Sequence, residues 1–259
     1  MLRSLGLLLA LAGCAHGWRG PVPDAPTLWA QAQAAHRLPE TLIAEAKAFV
    51  DAPENGGRYA LNLSVKRPDS LRIEALTPLG EPAALLVAHE GRFALLDLRS
   101  NVFYRGPSTP ENLSRLLPAP LRDDELVALL LGGIPELPGA VPVEVRRDGG
   151  DVRLILSTAP RDGGSHALTQ EVLLAEDLRV QEVRRIAAGG PQPRLLWSVQ
   201  LDDHDGSSGQ RVPRLFHLSV PDRRTEIDLR LRDLLVGRPP PSRAFALLPP
   251  PGVTVRELQ

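Results

Sequence analysis

The chain has 259 residues, enough for one large domain or two small ones around a buried core. Its 30 basic and 31 acidic residues leave a formal net charge of −1, which argues against a general nucleic-acid binder. A single Cys excludes an intramolecular disulfide and any multi-Cys metal site, and 4% aromatic content makes the core one of Leu, Val, Ile and Ala.

The first 14 residues carry the sharpest signal. Arg3 is followed by the apolar run 5–11, about 10 Å of helix against about 30 Å of bilayer hydrocarbon, so the run is a leader rather than a membrane span. It ends in Leu11-Ala12-Gly13-Cys14, a lipobox pattern in which residues 1–13 are removed and Cys14 is lipidated. An ordinary secretory signal that happens to contain a Cys is the alternative. With the lipid in place the protein is held at a bacterial membrane through Cys14. Residues 14–26, rich in Pro and Gly, read as a tether.

Residues 27–52 follow a helical spacing through Leu28, Ala32, Ala35, Leu42, Ile43, Ala46, Phe49 and Val50, with Pro39 kinking or splitting the helix. The period then changes to two. Tyr59, Leu61, Leu63 and Val65 alternate with polar or small residues, and Leu71, Ile73 and Ala75 repeat the pattern after Pro68-Asp69. The Thr77-Pro78-Leu79-Gly80 interruption precedes a hairpin of 83–89 and 92–98, then a short strand at 102–105. Thr109 with Pro110 starts one helix, and Asp123-Asp124 starts a second that Gly132 stops. Strands return at 143–146, 152–156, 168–174, 180–186, 195–201, 215–220 and 225–232. The fold class is α+β, mainly β, an antiparallel sheet or barrel. Residues 27–236 form a single domain, and residues 237–259 are a Pro-rich extension expected to be extended.

No catalytic motif emerges. His-Glu-x-x-His, a phosphate loop and Gly-x-Ser-x-Gly are all missing, so the chain is not expected to be an enzyme and no cofactor is implied. Asp202-Asp203-His204-Asp205 reads as a solvated hairpin loop rather than a metal cluster, and His166 and His217 as structural strand residues. The Arg pairs 146–147, 184–185 and 223–224 read as solvated sheet faces balanced by nearby acids.

The residues from Trp29 through the Tyr59–Val65 strand, and above all 71–80 (LRIEALTPLG), resemble LolB, the family of outer-membrane lipoprotein receptors, and equally an uncharacterised group of LolB-like lipoproteins. Residues 125–135 are similar to that family's helix and its Leu-Gly stop, and 224–231 to its final core strand. The resemblance implies an antiparallel half-barrel with an N-terminal helix, and inserted helices closing its open side. It implies a cavity for acyl chains, for which Leu61, Leu63, Val65, Leu71 and Ile73 are candidates; plain core packing is the alternative for all five. It also implies a protruding loop of Pro78, Leu79 and Gly80 whose Leu79 enters the membrane, or else folds back as a plug. The implied partners are a LolA-like periplasmic carrier and its lipoprotein cargo, with the protein a lipid-anchored monomer on the periplasmic face of the outer membrane. An adaptor lipoprotein that keeps the fold without cargo transfer is the other functional class. The low aromatic content and the Pro-rich extension both depart from the family pattern.

Overall fold

The computed structural model describes residues 17–53, 56–115, 117–159, 167–188, 192–205 and 211–259. Helix α1 (Ala25–Ala35) leads into β1 (Thr41–Asp51), β2 (Gly57–Lys66), β3 (Ser70–Leu76), β4 (Pro82–His89), β5 (Arg92–Asp97) and β6 (Val102–Pro107). Two short helices, α2 (Pro110–Leu113) and α3 (Asp123–Leu130), follow. The chain then returns to strands β7 (Ala140–Asp148), β8 (Asp151–Thr158), β9 (Ala167–Leu174), β10 (Val180–Ala188), β11 (Arg194–Asp205), β12 (Val212–Val220), β13 (Thr225–Val236) and β14 (Thr254–Glu257). The fold is mainly β with few helices.

All the strands form one unclosed sheet in the order β14-β6-β5-β4-β3-β2-β1-β13-β12-β11-β10-β9-β8-β7. Every pairing is antiparallel except β14 with β6. The β3–β4 and β5–β6 turns therefore lie at one end of the sheet, and the β2–β3, β7–β8 and β9–β10 turns at the other.

The helical expectation for residues 27–52 holds only as far as Ala35, where His36 closes α1 by donating its N–H to the Ala32 carbonyl. Beyond Pro39 the chain is β1, the junction of the two halves of the sheet, paired along its length with β2 and β13. Leu42, Ala44, Ala46, Ala48 and Val50 are buried on one face while Glu45, Lys47, Phe49 and Asp51 are exposed on the other. Leu42, Ala46, Phe49 and Val50 also satisfy a helical spacing, so the pattern is ambiguous over this length, and ladders on both sides decide it. Elsewhere the local signals hold. Thr109 caps α2 by accepting from the Asn112 N–H, with Pro110 in the first turn, and α3 starts at Asp123 and ends before Gly132 at φ +83°.

One face of the sheet, the inner one, carries the helices. Helix α1 packs on β7 and β8, burying Leu28 and Ala32, and α3 packs on β2 and β3. On the outer face, Val87, Leu96 and Phe103 are nevertheless buried. The Pro-rich segment after β13 runs there as a strap. The Arg72 guanidinium donates to the Ala244 carbonyl, Phe245 packs on His89 and Asn101 donates to the Gly252 carbonyl. The strap ends as β14 against β6. Gly106 makes that approach possible, because a Cβ there would sit 2.5 Å from the Leu258 carbonyl oxygen. At the other edge the start of the chain is held as well: the Trp18 N–H donates to Gly150, and Arg147 donates to the carbonyls of Trp18 and Gly20.

Candidate functional site

A cavity of about 760 Å³ lies on the inner face. Strands β5, β4, β3, β2, β1, β13, β12 and β11, eight neighbours in the sheet, all contribute side chains to its wall. Eight strands at about 4.8 Å spacing would extend over 30 Å if flat, so contact with one such cavity requires the sheet to curl around it. Leu117, Leu121, Leu126, Leu129 and Leu130 close it from the helical side. Small side chains at Ala48, Ala75 and Ala84 leave the space open, and Tyr59 and Phe216 are the only aromatics in the wall.

Of the residues singled out from the sequence, Leu61, Leu63, Leu71 and Ile73 meet in this wall. Val65 does not. It is fully buried in the core cluster, on the same face but further along β2.

Pro78 lies on the cavity rim, and the loop it begins is a tight turn. The Gly80 N–H donates to the Thr77 carbonyl at 2.9 Å and the Thr77 N–H to the Glu81 carbonyl at 2.7 Å. Gly80 adopts φ +85°, a left-handed conformation that a side chain would strain. With the turn pinned in this way, Leu79 points outward and is 88% exposed, so it does not plug the cavity. Cys14 and His166 lie outside the described residues.

The helical side of the cavity is fastened by an ion pair that the sequence reading missed. Arg185 of β10 donates to Glu125 of α3 at 2.9 Å and to the Gln170 amide oxygen at 2.7 Å, with its guanidinium over the Trp197 ring. Gln170 in turn donates to the Pro135 carbonyl. Burial pulls the Arg185 pKa below its ordinary range, against the pull of Glu125. Arg184-Arg185 is therefore not a solvated pair, since Arg185 is 6% exposed. The signal was present: neighbours in a strand face opposite sides, so one of two adjacent arginines must face inward. Asp123, in the same first turn of α3, has its pKa raised by burial although it accepts from the Ser108 hydroxyl at 2.6 Å.

Asp202–Asp205 form the end of β11 rather than a loop, with Asp202 opposite Leu215 and His204 opposite Pro213. Among the described residues no group of three or more His, Cys, Asp or Glu is placed to hold a metal ion. His217 is half-exposed on the outer face between Asp228 and Glu226, at 2.8 and 3.2 Å. It borders an outer depression of about 920 Å³ whose wall also holds Lys47, Arg230 and Arg232. Several charged side chains border that depression, Lys47, Arg58, Asp202, Asp228, Arg230 and Arg232 among them. The inner cavity is lined mostly by aliphatic side chains and is the candidate site.

The fold of this chain is similar to that of several solved structures of low sequence identity. A domain from Vibrio parahaemolyticus described as an outer membrane lipoprotein-sorting protein superposes with a TM-score of 0.61 at 12% identity, over 86% of this chain and 96% of that one. A LolA superfamily protein from Nitrosomonas europaea gives 0.57 at 13% identity, over 87% and 99%. The fold is LolA-like. A DUF1329 family protein from Desulfovibrio piger shares it as well, with a TM-score of 0.61 at 11% identity over 86% and 98% of the two chains. No protein-family model and no curated protein matches the sequence. The LolA-like fold is thus established by shape, at identities that do not single out the LolB receptors.

Proposed function

We propose that the chain is a lipid-anchored envelope protein that binds acyl chains of lipoproteins in the inner cavity and helps insert them into the outer membrane. One observation carries this reading: an apolar cavity in the wall of a LolA-like sheet, with an exposed Leu79 at its rim. At about 760 Å³ it falls in the range of pockets that enclose small apolar ligands, roughly 300–1,000 Å³. A core filled with side chains would have favoured an adaptor without cargo. In this reading Cys14 carries the anchor, the cavity shields acyl chains from water, and a LolA-like carrier delivers the cargo on the periplasmic side of the outer membrane. The half-barrel closed by α2 and α3 is the working part, and no catalytic step is involved.

The test is a transfer assay with a purified LolA-like carrier, a labelled triacylated lipoprotein and outer-membrane vesicles. Wild type should accept the lipoprotein and deliver it. Ala84→Trp, which fills the cavity from its wall, should fold and fail to accept it. Equal transfer by both proteins would overturn the reading.

A further inference from the structure

The wall of the cavity carries an excess of positive charge. Arg99 in the β5–β6 turn and Arg115 after α2 line it and are exposed, and the exposed Arg58 at the start of β2 borders both the cavity and the outer depression. None of the three pairs with a carboxylate among the described residues. The one acid in the wall, Asp97, is committed to its own turn. It accepts from the Arg99 and Ser100 N–H groups at 2.9 and 3.3 Å and from the Ser100 hydroxyl at 2.6 Å.

Arg115 is held by a ring instead, 5.1 Å from the Tyr104 ring centroid. Arg58 stacks on Phe49, 5.8 Å from its centroid, on the outer face of the sheet. A guanidinium stacked on a ring keeps its plane oriented while its N–H edge stays free to donate, the arrangement that suits a bidentate oxyanion. An apolar interior beneath such a rim matches a molecule with an acyl tail and an anionic head.

We propose that the cavity holds an anionic phospholipid, with one acyl chain inside and its phosphate between Arg99 and Arg115. This rests on the acyl-chain reading of the cavity and adds the head group to it. The lipidated amino terminus of a lipoprotein carries no phosphate, so the arginines would be without purpose for that cargo alone. A phospholipid would occupy the cavity before cargo arrives, or be a cargo itself.

The experiment incubates the folded protein with vesicles of phosphatidylglycerol or of phosphatidylcholine bearing the same chains, and measures retained lipid by native mass spectrometry. A third arm offers inorganic phosphate alone. Wild type should retain phosphatidylglycerol about tenfold better than phosphatidylcholine, with the preference shrinking at high salt, and phosphate alone should not be retained. The double variant Arg99→Gln, Arg115→Gln should hold both lipids equally, and phosphatidylcholine no better than wild type does. Equal retention of the two lipids by wild type, or a preference unchanged in the variant, would overturn the head-group site and leave the acyl cavity standing. Retention of phosphate alone would also overturn it, since the site would then need no tail. Retention of neither lipid by folded protein would overturn both readings.

Discussion

Arg185 and Glu125 are 60 positions apart and meet at 2.9 Å in the interior, joining β10 to the first turn of α3. Both are nearly inaccessible, at 6% and 3% exposure. The pair stands between the strands of the second half of the sheet and the helix that covers the first.

Removing one member of a buried pair costs about 3–5 kcal/mol when the other is left alone. Glu125 keeps Arg122, 3.5 Å away, so Arg185→Ala should lower the urea-unfolding free energy by about the low end of that range. Arg185→Lys keeps the charge but gives up the planar fork shared between Glu125 and Gln170, and should fall between wild type and Ala. A loss below 1 kcal/mol in Arg185→Ala would mean that water reaches Glu125 freely.

Leu79→Glu acts on a side chain that is 88% exposed, so the change in stability should stay within about 0.5 kcal/mol. Vesicle association, followed by flotation, should drop sharply. Unchanged flotation would remove Leu79 from any contact with lipid.

Gly106→Ala tests the seating of the last strand. The added methyl would meet the Leu258 carbonyl, whose N–H donates to Arg105 at 2.7 Å, so β14 must shift or detach. Limited proteolysis should cleave the variant behind the strap at protease levels that leave wild type intact. A loss of about 1–3 kcal/mol is expected from the overpacking.

His36, at the end of α1, has its pKa lowered by burial, with its Nε2 2.8 Å from the Leu178 carbonyl. The folded state therefore favours the neutral ring with Nε2–H as donor. The unfolded state takes up the proton first as pH falls, so stability is highest above the ordinary histidine pKa of about 6.5 and declines below it. His204, also lowered by burial, adds in the same direction. Thermal midpoints recorded between pH 7.5 and 5 should fall for wild type and fall less for His36→Gln. A flat wild-type profile would contradict the depressed pKa values.

The alternating strands, the Thr109-Pro110 cap and the Gly132 stop were legible because each is a local preference written in adjacent residues. The stretch that became β1 was not. Ala44, Ala46 and Ala48 suit a helix as well as a strand, and only the ladders to β2 and β13, drawn from opposite ends of the chain, decide the matter. Four of the five proposed cavity residues line the wall because alternation finds the inner face. It does not say how far along a strand the cavity extends, and Val65 is packed in the core beside Leu42 of β1. The buried Arg185 and the outer strap depend on contacts between distant segments, beyond the reach of any window of sequence.

The hold of the β7–β8 turn on Trp18–Gly20 sets a distance. Trp18 is four positions beyond Cys14, a reach of at most about 14 Å even when fully extended. The β7–β8 turn is at the end of the sheet away from Leu79, and the nine residues of β7 alone span about 30 Å. A lipid on Cys14 would thus root the molecule by the end of the sheet away from Leu79 and hold the Leu79 end clear of the bilayer patch directly beneath the anchor. Anchor and opening can touch one membrane only if the domain lies on its side or Trp18 lets go. An upright molecule would face its opening toward whatever diffuses past, a posture suited to receiving before it delivers.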